Sequence, residues 1–513
     1  MADATIEASA GPASPGPAAS GLRWEWRTFG HRFGEAEARF ARLTPGETKD
    51  SDEIYLLARD GDNVKVRDAL LDVKVLRAVN GDGLEQWAPV MKAGFPLSAA
   101  DTAKTFAALR VPAPPALREG CALDALVGAL RDPASGVRVV EVHKRRVRYR
   151  VEGCMAELSA ITANGLPVRT IAVEAEDPQA VVRAVAALGL SGYVNTNYAR
   201  GLAELLDGAP ERYAVIDAGT NSIKFHIAQR NRDGTWRTVA DRAELTRLGE
   251  GLAETGRIGE AALERTTEAI AAMAAEAQRN GVRAIAAVGT AGLRIAANAA
   301  AVIAALRERT GVQIEVVSGE EEARLAYLAT TAALGPVAGT TVVFDTGGGS
   351  SQFTFGHGGT VDERFSVDVG AARYTEQFGL DRAVPDEVVR EARAAIAADL
   401  ARLDGRPEPD ALVGMGGAVT NLTAVSLGLA EYDPARVQGA VLTGDEIDRQ
   451  IALYRSRDAA ARRAIVGLQP KRAEVILAGA CVVRTVLDKL GKDSLTVSDR
   501  GLRHGVLAER FGS

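Results

Sequence analysis

A hairpin with a glycine turn is predicted by Thr341–Phe355, which reads TVVFDTGGGSSQFTF. Val342–Phe344 form a short apolar run typical of a buried strand, and Gln352–Phe355 alternate as a returning strand does. Glycines keep side chains out of the turn, so its backbone N–H groups can surround an anion. Asp345, at the end of the first strand, can hold a hard divalent cation that bridges phosphate oxygens.

The same plan occurs a second time, at Val215–Phe225, which reads VIDAGTNSIKF. Its key residues stand 128 positions before their counterparts: Asp217 before Asp345, Gly219 before Gly347 and Ser222 before Ser350. A single turn of this kind is most often a plain hairpin. Two at a constant offset favour a duplicated α/β domain with a phosphate clamp between its halves. The layout resembles the actin-like ATPase and sugar-kinase fold.

The composition is that of a globular chain of two to four domains, with 513 residues, 47% apolar and 25% charged. A net charge of −6 argues against general binding of nucleic acid or an anionic membrane. The three cysteines have no metal-ligand spacing and suit reduced thiols, which predicts a cytoplasmic protein. No apolar run is long enough to span a membrane. Residues 1–21 are almost all Ala, Pro, Gly and Ser and predict a disordered tail.

Residues 22–190 are predicted to be rich in strands, and one strand, 139–151, carries the basic run VVEVHKRRVRYRV. Alternate residues of a strand share a face, so four cations project from one side: Lys144, Arg146, Arg148 and Arg150. A solvated strand face beside exposed acids explains such a row nearly as well. The functional hypothesis is the inner wall of a barrel that threads a polyphosphate, to which Lys65 and Arg67 would add.

This layout resembles the CYTH, or triphosphate tunnel, family, whose eight-stranded barrels bind triphosphates or polyphosphate with a divalent metal. The family opens with Glu-x-Glu-x-Lys, whereas residues 24–27 read WEWR here. One acid stands in place of two, and Arg27 replaces lysine. The departure argues against catalysis by this domain and leaves binding open.

From Arg212 onward the pattern becomes α/β, with further candidate sites at helix starts. Arg294 lies in the first turn of a predicted helix, where it can reach a phosphate, although a surface arginine is equally ordinary there. Gly416 and Gly417 open another helix, whose N-terminus can accept an anion. Ser318 and Glu321 have the spacing of a capping box. Spacing alone does not distinguish Glu322 from its acidic neighbours.

Seven segments in order resemble the exopolyphosphatase / guanosine pentaphosphate phosphohydrolase (Ppx/GppA) family of the actin-like superfamily. They are DAGTNS (217–222), GTAGLR (289–294), SGEEEAR (318–324), DTGGGS (345–350), GMGG (414–417), PKRAE (470–474) and GLRHG (501–505). The expected fold is therefore an α+β antiparallel, barrel-like CYTH domain followed by a duplicated α/β actin-like pair of the ribonuclease H-like class. The expected boundaries are a tail 1–21, a CYTH-like domain 22–190, a linker 191–211, lobe I 212–336 and lobe II 337–513.

The family resemblance implies roles for residues at matching positions. Glu322 takes the place of the catalytic glutamate, which activates water for attack on the terminal phosphorus, with Arg294 beside it. Asp345 takes the place of a ligand to Mg²⁺ or Mn²⁺. The residues expected to bind phosphate are Asp217, Gly219, Thr220, Asn221, Ser222, Gly347, Gly348, Gly349, Ser350, Ser351, Gly416 and Gly417.

One departure bears on catalysis, because the family usually has a glutamate where this chain has Gln352. An amide keeps an acceptor oxygen but loses the charge, so Gln352 is expected to be a weaker metal ligand. The predicted function is an exopolyphosphatase. Two alternatives stay open: a guanosine pentaphosphate (pppGpp) 5'-phosphohydrolase, or a sensor of polyphosphate or nucleotide with little turnover. Members of the family are often dimers, so a homodimer is also expected.

Overall fold

The computed structural model describes residues 22–220, 222–231, 233–332 and 339–512. The predicted tail 1–21 and the site residue Asn221 lie outside the described residues. The chain forms two compact units that meet in sequence between Ala209 and Pro210. Within the described ranges, no helix combines the length and apolar character that a membrane crossing requires. All three cysteines are buried free thiols.

From residue 22 onward, the described part of the first unit contains ten strands. They are β1 (Arg23–Gly30), β2 (Thr48–Ala58), β3 (Asn63–Arg67), β4 (Leu70–Val79), β5 (Glu85–Gly94), β6 (Leu97–Ser98), β7 (Gly120–Cys121), β8 (Val137–Val151), β9 (Cys154–Ala163) and β10 (Leu166–Ala175). Eight of them close into an antiparallel barrel in the order β1-β10-β9-β8-β2-β3-β4-β5, while β6 and β7 pair separately. The predicted antiparallel barrel is confirmed.

The helices described in this unit are α1 (Glu35–Phe40), α2 (Ala99–Leu109), α3 (Leu123–Leu130), α4 (Pro178–Ala187) and α5 (Tyr198–Leu206). Helices α2 and α3 share an apolar core with the outward side chains of β2–β4. The segment 191–211, expected to be a linker, instead contributes α5 to the barrel, where Tyr198 and Leu202 pack among inward side chains. Helix and barrel come so close that a Cβ on Gly201 would lie 2.3 Å from the ring of Phe29.

The inward face of β8 changes character along its length. Val140 and Val142 belong to the apolar cluster that contains α5. Lys144, Arg146 and Arg148, further along the same face, line a polar cavity. Alternation along a strand places all five residues on the inner side. One half of the barrel interior is therefore filled by α5, and the other half is charged.

The described residues of the second unit form two sheets. Their strands are β11 (Glu211–Ala218), β12 (Ser222–Arg230), β13 (Trp236–Leu245), β14 (Val282–Gly289), β15 (Ile314–Val316), β16 (Thr340–Thr346), β17 (Ser351–His357), β18 (Thr360–Val367), β19 (Ala411–Met415), β20 (Val441–Thr443) and β21 (Ser494–Val497). The orders are β13-β12-β11-β14-β15 and β18-β17-β16-β19-β21-β20. The first three strands of each sheet form an antiparallel meander. The first strand of the meander also pairs in parallel with the next strand along the chain, β11 with β14 and β16 with β19.

The helices of this unit are α6 (Leu252–Thr255), α7 (Glu260–Arg279), α8 (Ala291–Ile295), α9 (Ala299–Thr310), α10 (Gly319–Ala332), α11 (Ala371–Phe378), α12 (Asp386–Asp399), α13 (Gly417–Ser426), α14 (Pro434–Val437), α15 (Gly444–Arg455), α16 (Ala459–Arg462), α17 (Ile476–Lys489) and α18 (Leu502–Phe511). Helix α17 lies at the centre of the apolar core that packs against the second sheet, and it is almost wholly buried. Helix α18 follows the second sheet but returns to the first, where Phe511 stacks on Tyr213 at 4.7 Å.

Candidate active site

The glycine turn after Asp345 exposes backbone N–H groups. Within it, the N–H of Gly347 donates to the carbonyl of Ser350 at 2.9 Å, and the carbonyl of Gly348 accepts from the N–H of Ala372 at 2.8 Å. Among the described residues, no hydrogen bond reaches the N–H groups of Gly348, Gly349 or Ser350. The three glycines are exposed. The turn therefore offers unpaired donors of the kind that bind phosphate oxygens.

The first hairpin has the same internal bond, from the N–H of Gly219 to the carbonyl of Ser222 at 3.2 Å. Asp217 lies directly opposite Lys224 in the register. The ammonium of Lys224 stands 3.6 Å from the carboxylate of Asp217, which is only 4% exposed. In the second hairpin the position opposite Asp345 is taken by Gln352. The two glycine-turn hairpins predicted from the sequence are thus confirmed.

Glu322 is close enough to both hairpin aspartates for its charge to act on them. Burial raises the pKa of Asp217, Lys224 opposes that rise, and the negative charge of Glu322 adds to it. Burial likewise raises the pKa of Asp345, with Lys224 and Arg472 opposing and Glu322 adding. A bound divalent cation would offset the cost of keeping Asp217 and Asp345 charged in so buried a site, and carboxylates are the ligands that Mg²⁺ and Mn²⁺ prefer. Asp217 and Asp345 are therefore the candidate ligands of such an ion.

Glu322 differs from its neighbours in its partner. The guanidinium of Arg294 donates to Glu322 at 2.7 Å and to the carbonyl of Val317 at 2.9 Å. Glu321 instead accepts two bonds from Arg324, at 2.7 and 2.8 Å. Arg294 therefore holds the carboxylate of Glu322 in place, while the carboxylate of Glu321 is paired with Arg324 on the surface of α10.

The predicted capping box at Ser318 is half formed. The hydroxyl of Ser318 accepts from the N–H of Glu321 at 3.1 Å, as predicted. The carboxylate of Glu321 turns to Arg324 rather than back to the helix start.

Thr220 joins the first hairpin to the helix that carries Arg294. Its carbonyl accepts from the N–H of Gly249 at 2.8 Å. A Cβ on Gly292 would lie 3.0 Å from the hydroxyl of Thr220. The hairpin tip and the start of α8 are thus packed together, which sets the position of Arg294.

The structure corrects the expectation for Ser351. Its side chain is fully buried and donates to the carbonyl of Val369 at 2.7 Å, so its hydroxyl braces the hairpin and does not face a phosphate. The amide N–H₂ of Gln352 donates to the hydroxyl of Ser350 at 2.8 Å and lies 3.3 Å from that of Ser366. These bonds leave the amide oxygen of Gln352 as the atom that can face a cation.

Gly416 and Gly417 let the N-terminus of α13 approach the site. A Cβ on Gly416 would lie 2.0 Å from Oδ1 of Asp345, and its φ of +88° suits glycine alone. A Cβ on Gly417 would lie 2.4 Å from the guanidinium of Arg472. Only glycine leaves room here for the side chains of Asp345 and Arg472, whether or not an anion binds at the N-terminus of α13.

Replacing Gly416 by alanine is expected to lower kcat/KM for phosphate release at least about tenfold, because the new Cβ displaces the Asp345 carboxylate. Gly428, beyond the other end of α13, has a φ of +60°, and a Cβ there would meet nothing within 4 Å. Gly428→Ala places an alanine at a positive φ, at a cost of roughly 1 kcal/mol, without the clash. Steady-state kinetics and thermal melts of both variants separate the two effects. Equal activity losses would contradict this role of Gly416.

Sequence reasoning missed two basic residues of the site, Lys224 and Arg472. The positive charge of each opposes the rise that burial causes in the pKa of Asp345. The alternation of β12 offered a signal for Lys224, since it shares a face with Ser222 two residues earlier. Arg472 lies in the segment 470–474, which the family resemblance included without a role.

In the first unit, the charged half of the barrel is a second candidate site. Its cavity is lined by seven basic and four acidic side chains: Arg27, Lys65, Arg67, Lys74, Lys144, Arg146, Arg148, Glu25, Asp72, Glu157 and Glu174. At its floor, Arg27 and Lys144 lie over the ring of Tyr198, at 4.4 and 4.9 Å. Both cations also bond Glu157 at 3.1 Å.

Two expectations about the barrel are corrected. Arg150 shares the face of Lys144 but lies exposed at the strand end, outside the cavity lining. The interior is a pocket and not a path for a threaded chain, because α5 fills one half.

Comparisons with known proteins address the second unit. A model of the Ppx/GppA phosphatase family matches residues 227–513. The chain is 29% identical over 328 residues to exopolyphosphatase 2 of Mycobacterium tuberculosis, a match that covers 59% of this chain and 99% of the relative. It is 28% identical over 307 residues to guanosine-5'-triphosphate,3'-diphosphate pyrophosphatase of Vibrio campbellii, covering 59% and 60%. A crystal structure of the Aquifex aeolicus Ppx/GppA phosphatase, type II variant, superposes with a TM-score of 0.54 at 33% identity, covering 59% and 99%.

Proposed function

This chain belongs to the Ppx/GppA phosphatase family, and we propose that it is an exopolyphosphatase, a phosphoric anhydride hydrolase that releases terminal phosphate from inorganic polyphosphate. The observation that carries the proposal is the meeting of unpaired N–H groups in the glycine turn with the carboxylates of Asp217, Asp345 and Glu322. A site with donors for phosphate and acids for a cation and a water suits attack on a terminal phosphorus.

Three groups of residues would bind the metal, bind the phosphate and activate the water. Asp345 and Asp217, with the amide oxygen of Gln352, would hold Mg²⁺ or Mn²⁺, which neutralises charge on the phosphates when bound. The N–H groups of Gly348, Gly349 and Ser350 bind phosphate oxygens and orient the terminal group. Glu322, fixed by Arg294, orients a water and accepts its proton.

We also propose that the two sheets arose by duplication. Their glycine turns form the same bond, and their first strands pair in the same pattern. The actin-like pair expected from the sequence is the arrangement that such a duplication produces, with one hairpin from each half at the site.

The alternative substrate is pppGpp, since one relative is named for that hydrolysis. Polyphosphate is the first choice because the barrel adds a second cation-lined pocket to the same chain. Competition kinetics test this choice: excess pppGpp should inhibit phosphate release from long polyphosphate weakly. A kcat/KM for pppGpp above that for polyphosphate would reverse the assignment.

The barrel is proposed to bind a polyphosphate end without cutting it, as a CYTH-like domain that has lost an acid. Seven basic side chains line the cavity against four acidic ones, and Glu53 pairs with two of the seven, Lys65 and Arg67, so an excess of two positive charges attracts a polyanion. A tethered pocket raises the local concentration of substrate around the active site. Reduced, buried thiols suit a cytoplasmic location, and a homodimer remains part of the proposal.

Replacing Arg146 and Arg148 together by glutamine is expected to weaken binding of long-chain polyphosphate about tenfold, because two cavity cations are lost. The affinity should also fall less steeply with salt. Binding is measured by fluorescence anisotropy on protein that also carries Glu322→Gln, so that the ligand is not consumed.

The matched control for that experiment removes two surface cations of the same unit, Arg145→Gln and Arg183→Gln. Both residues are exposed. If the control weakens binding as much as the cavity pair, attraction is a property of the whole surface and the pocket has no special role.

A further inference from the structure

Two of the five histidines of this chain meet beside an aspartate in the second unit. His226 lies on β12, Asp241 is directly opposite it on β13, and His504 is in the first turn of α18. The two imidazole centroids are 4.7 Å apart. The cluster is assembled by the return of α18 to the first sheet, and none of the roles described above uses it.

The ring of His226 points an unpaired nitrogen into this cluster. His226 is 2% exposed, and within the described part of the chain no hydrogen-bond partner reaches its Nδ1. Leaving a buried polar atom without a partner costs free energy, so such an atom indicates a missing ligand. The nearest acceptor, Oδ2 of Asp241, is 3.5 Å away. Nε2 of His504 lies 3.9 Å from the same oxygen.

These three atoms have the types and spacing of a transition-metal site. Zinc–nitrogen and zinc–oxygen bonds near 2.1 Å place tetrahedral ligands about 3.4 Å apart. One ligand atom from each of the three residues lies within 4.8 Å of the others, which is close enough for a small rearrangement to bring them onto one ion. We propose that His226, Asp241 and His504 bind a divalent transition-metal ion, with Zn²⁺ preferred and the fourth position taken by water. Imidazole nitrogens favour such an ion over Mg²⁺, which prefers oxygen ligands.

The surroundings of the cluster support the assignment. Arg503 donates two bonds of 2.9 Å to the carboxylate of Asp241 and fixes its orientation, as outer partners of metal ligands do. The side chains of Asp241 and His504 are 21% and 17% exposed, which leaves an entry path.

Binding requires one local change. The N–H of Gly501 donates to Nδ1 of His504 at 3.2 Å, so the neutral ring carries its proton on Nε2. A metal on Nε2 shifts that proton to Nδ1 and breaks the contact with Gly501. Because Gly501 joins β21 to α18, the ion is expected to move the start of that helix.

The cluster lies next to the proposed active site but uses different side chains, and the charge of Arg503 reaches both Asp241 and Asp217. His226 follows Lys224 by two residues on the same face of β12, which places it roughly 7 Å further along the strand. Asp345 is on the other sheet. The inference therefore stands or fails independently of polyphosphate hydrolysis.

Titration of the full chain with Co²⁺ in excess Mg²⁺ tests the proposal, since four-coordinate Co²⁺ absorbs strongly in the visible and Co²⁺ on oxygen ligands does not. One equivalent should develop the band. His504→Gln should weaken Co²⁺ binding more than about 100-fold, since even changes to outer partners cost 10–100-fold. His357→Gln is the matched control, because His357 forms an exposed 2.8 Å pair with Asp362. It should leave the titration unchanged.

Absence of the band in the wild-type chain, or a band unchanged by His504→Gln, would overturn the proposal. Circular dichroism establishes that the variants fold. If His504→Gln does not fold, Asp241→Asn provides the same comparison.

Discussion

Glu322→Gln is expected to lower kcat for phosphate release from polyphosphate by about 10²–10⁴-fold, the usual contribution of a positioned general base. The substitution keeps the size of the side chain and its contact with Arg294 through the amide oxygen, but it removes the proton acceptor. Substrate binding should change little. Steady-state kinetics with long-chain polyphosphate measure both quantities.

Glu321→Gln is the control next to it in sequence. Glu321 pairs with Arg324 on the helix surface, so its replacement should change kcat less than about threefold. Equal losses in the two variants would mean that the helix as a whole, and not the carboxylate of Glu322, was disturbed. Full activity in Glu322→Gln would contradict its assignment as the base.

Asp345→Asn is expected to raise the Mg²⁺ concentration for half-maximal activity at least about tenfold, because the charged ligand at the end of β16 is lost. Gln352→Glu should lower that concentration, since it places a second carboxylate directly opposite Asp345 in the register. Activity measured against Mg²⁺ and Mn²⁺ gives both values.

Asp362→Asn is the control for this pair, since it alters an exposed carboxylate on the same sheet that contacts only His357 among the described residues by hydrogen bond. Its metal requirement should match that of the wild type. An Asp345→Asn protein with an unchanged metal requirement would contradict the assignment of the ion to this site. If Gln352→Glu is active and the wild-type protein is not, the wild-type site binds its ligand without turnover, which favours the sensor alternative.

The hairpins of the active site could be predicted because their signals are local. Asp217 and Asp345 each end an apolar run and precede glycines, and both features lie within a few residues. The basic strand of the barrel was predictable for the same reason. The apolar inward residues of this strand, Val140 and Val142, are explained by α5, which belongs to the same apolar cluster.

What could not be predicted depends on contacts between distant segments. Arg472 reaches Asp345 only because α13 and the segment before α17 pack together, and no local pattern carries that information. Ser351 directly follows Ser350 in the sequence, yet its hydroxyl is buried and donates to the carbonyl of Val369. The position of His504 beside His226 likewise depends on the return of α18 to the first sheet.

The most direct test of the central claim is product analysis of long-chain polyphosphate incubated with the wild-type protein and Mg²⁺ or Mn²⁺. Orthophosphate should accumulate from the first time point while the remaining chains shorten gradually, and Glu322→Gln should abolish both changes. Orthophosphate absent under every metal condition, or intermediate-length fragments appearing before orthophosphate, would contradict terminal hydrolysis at this site.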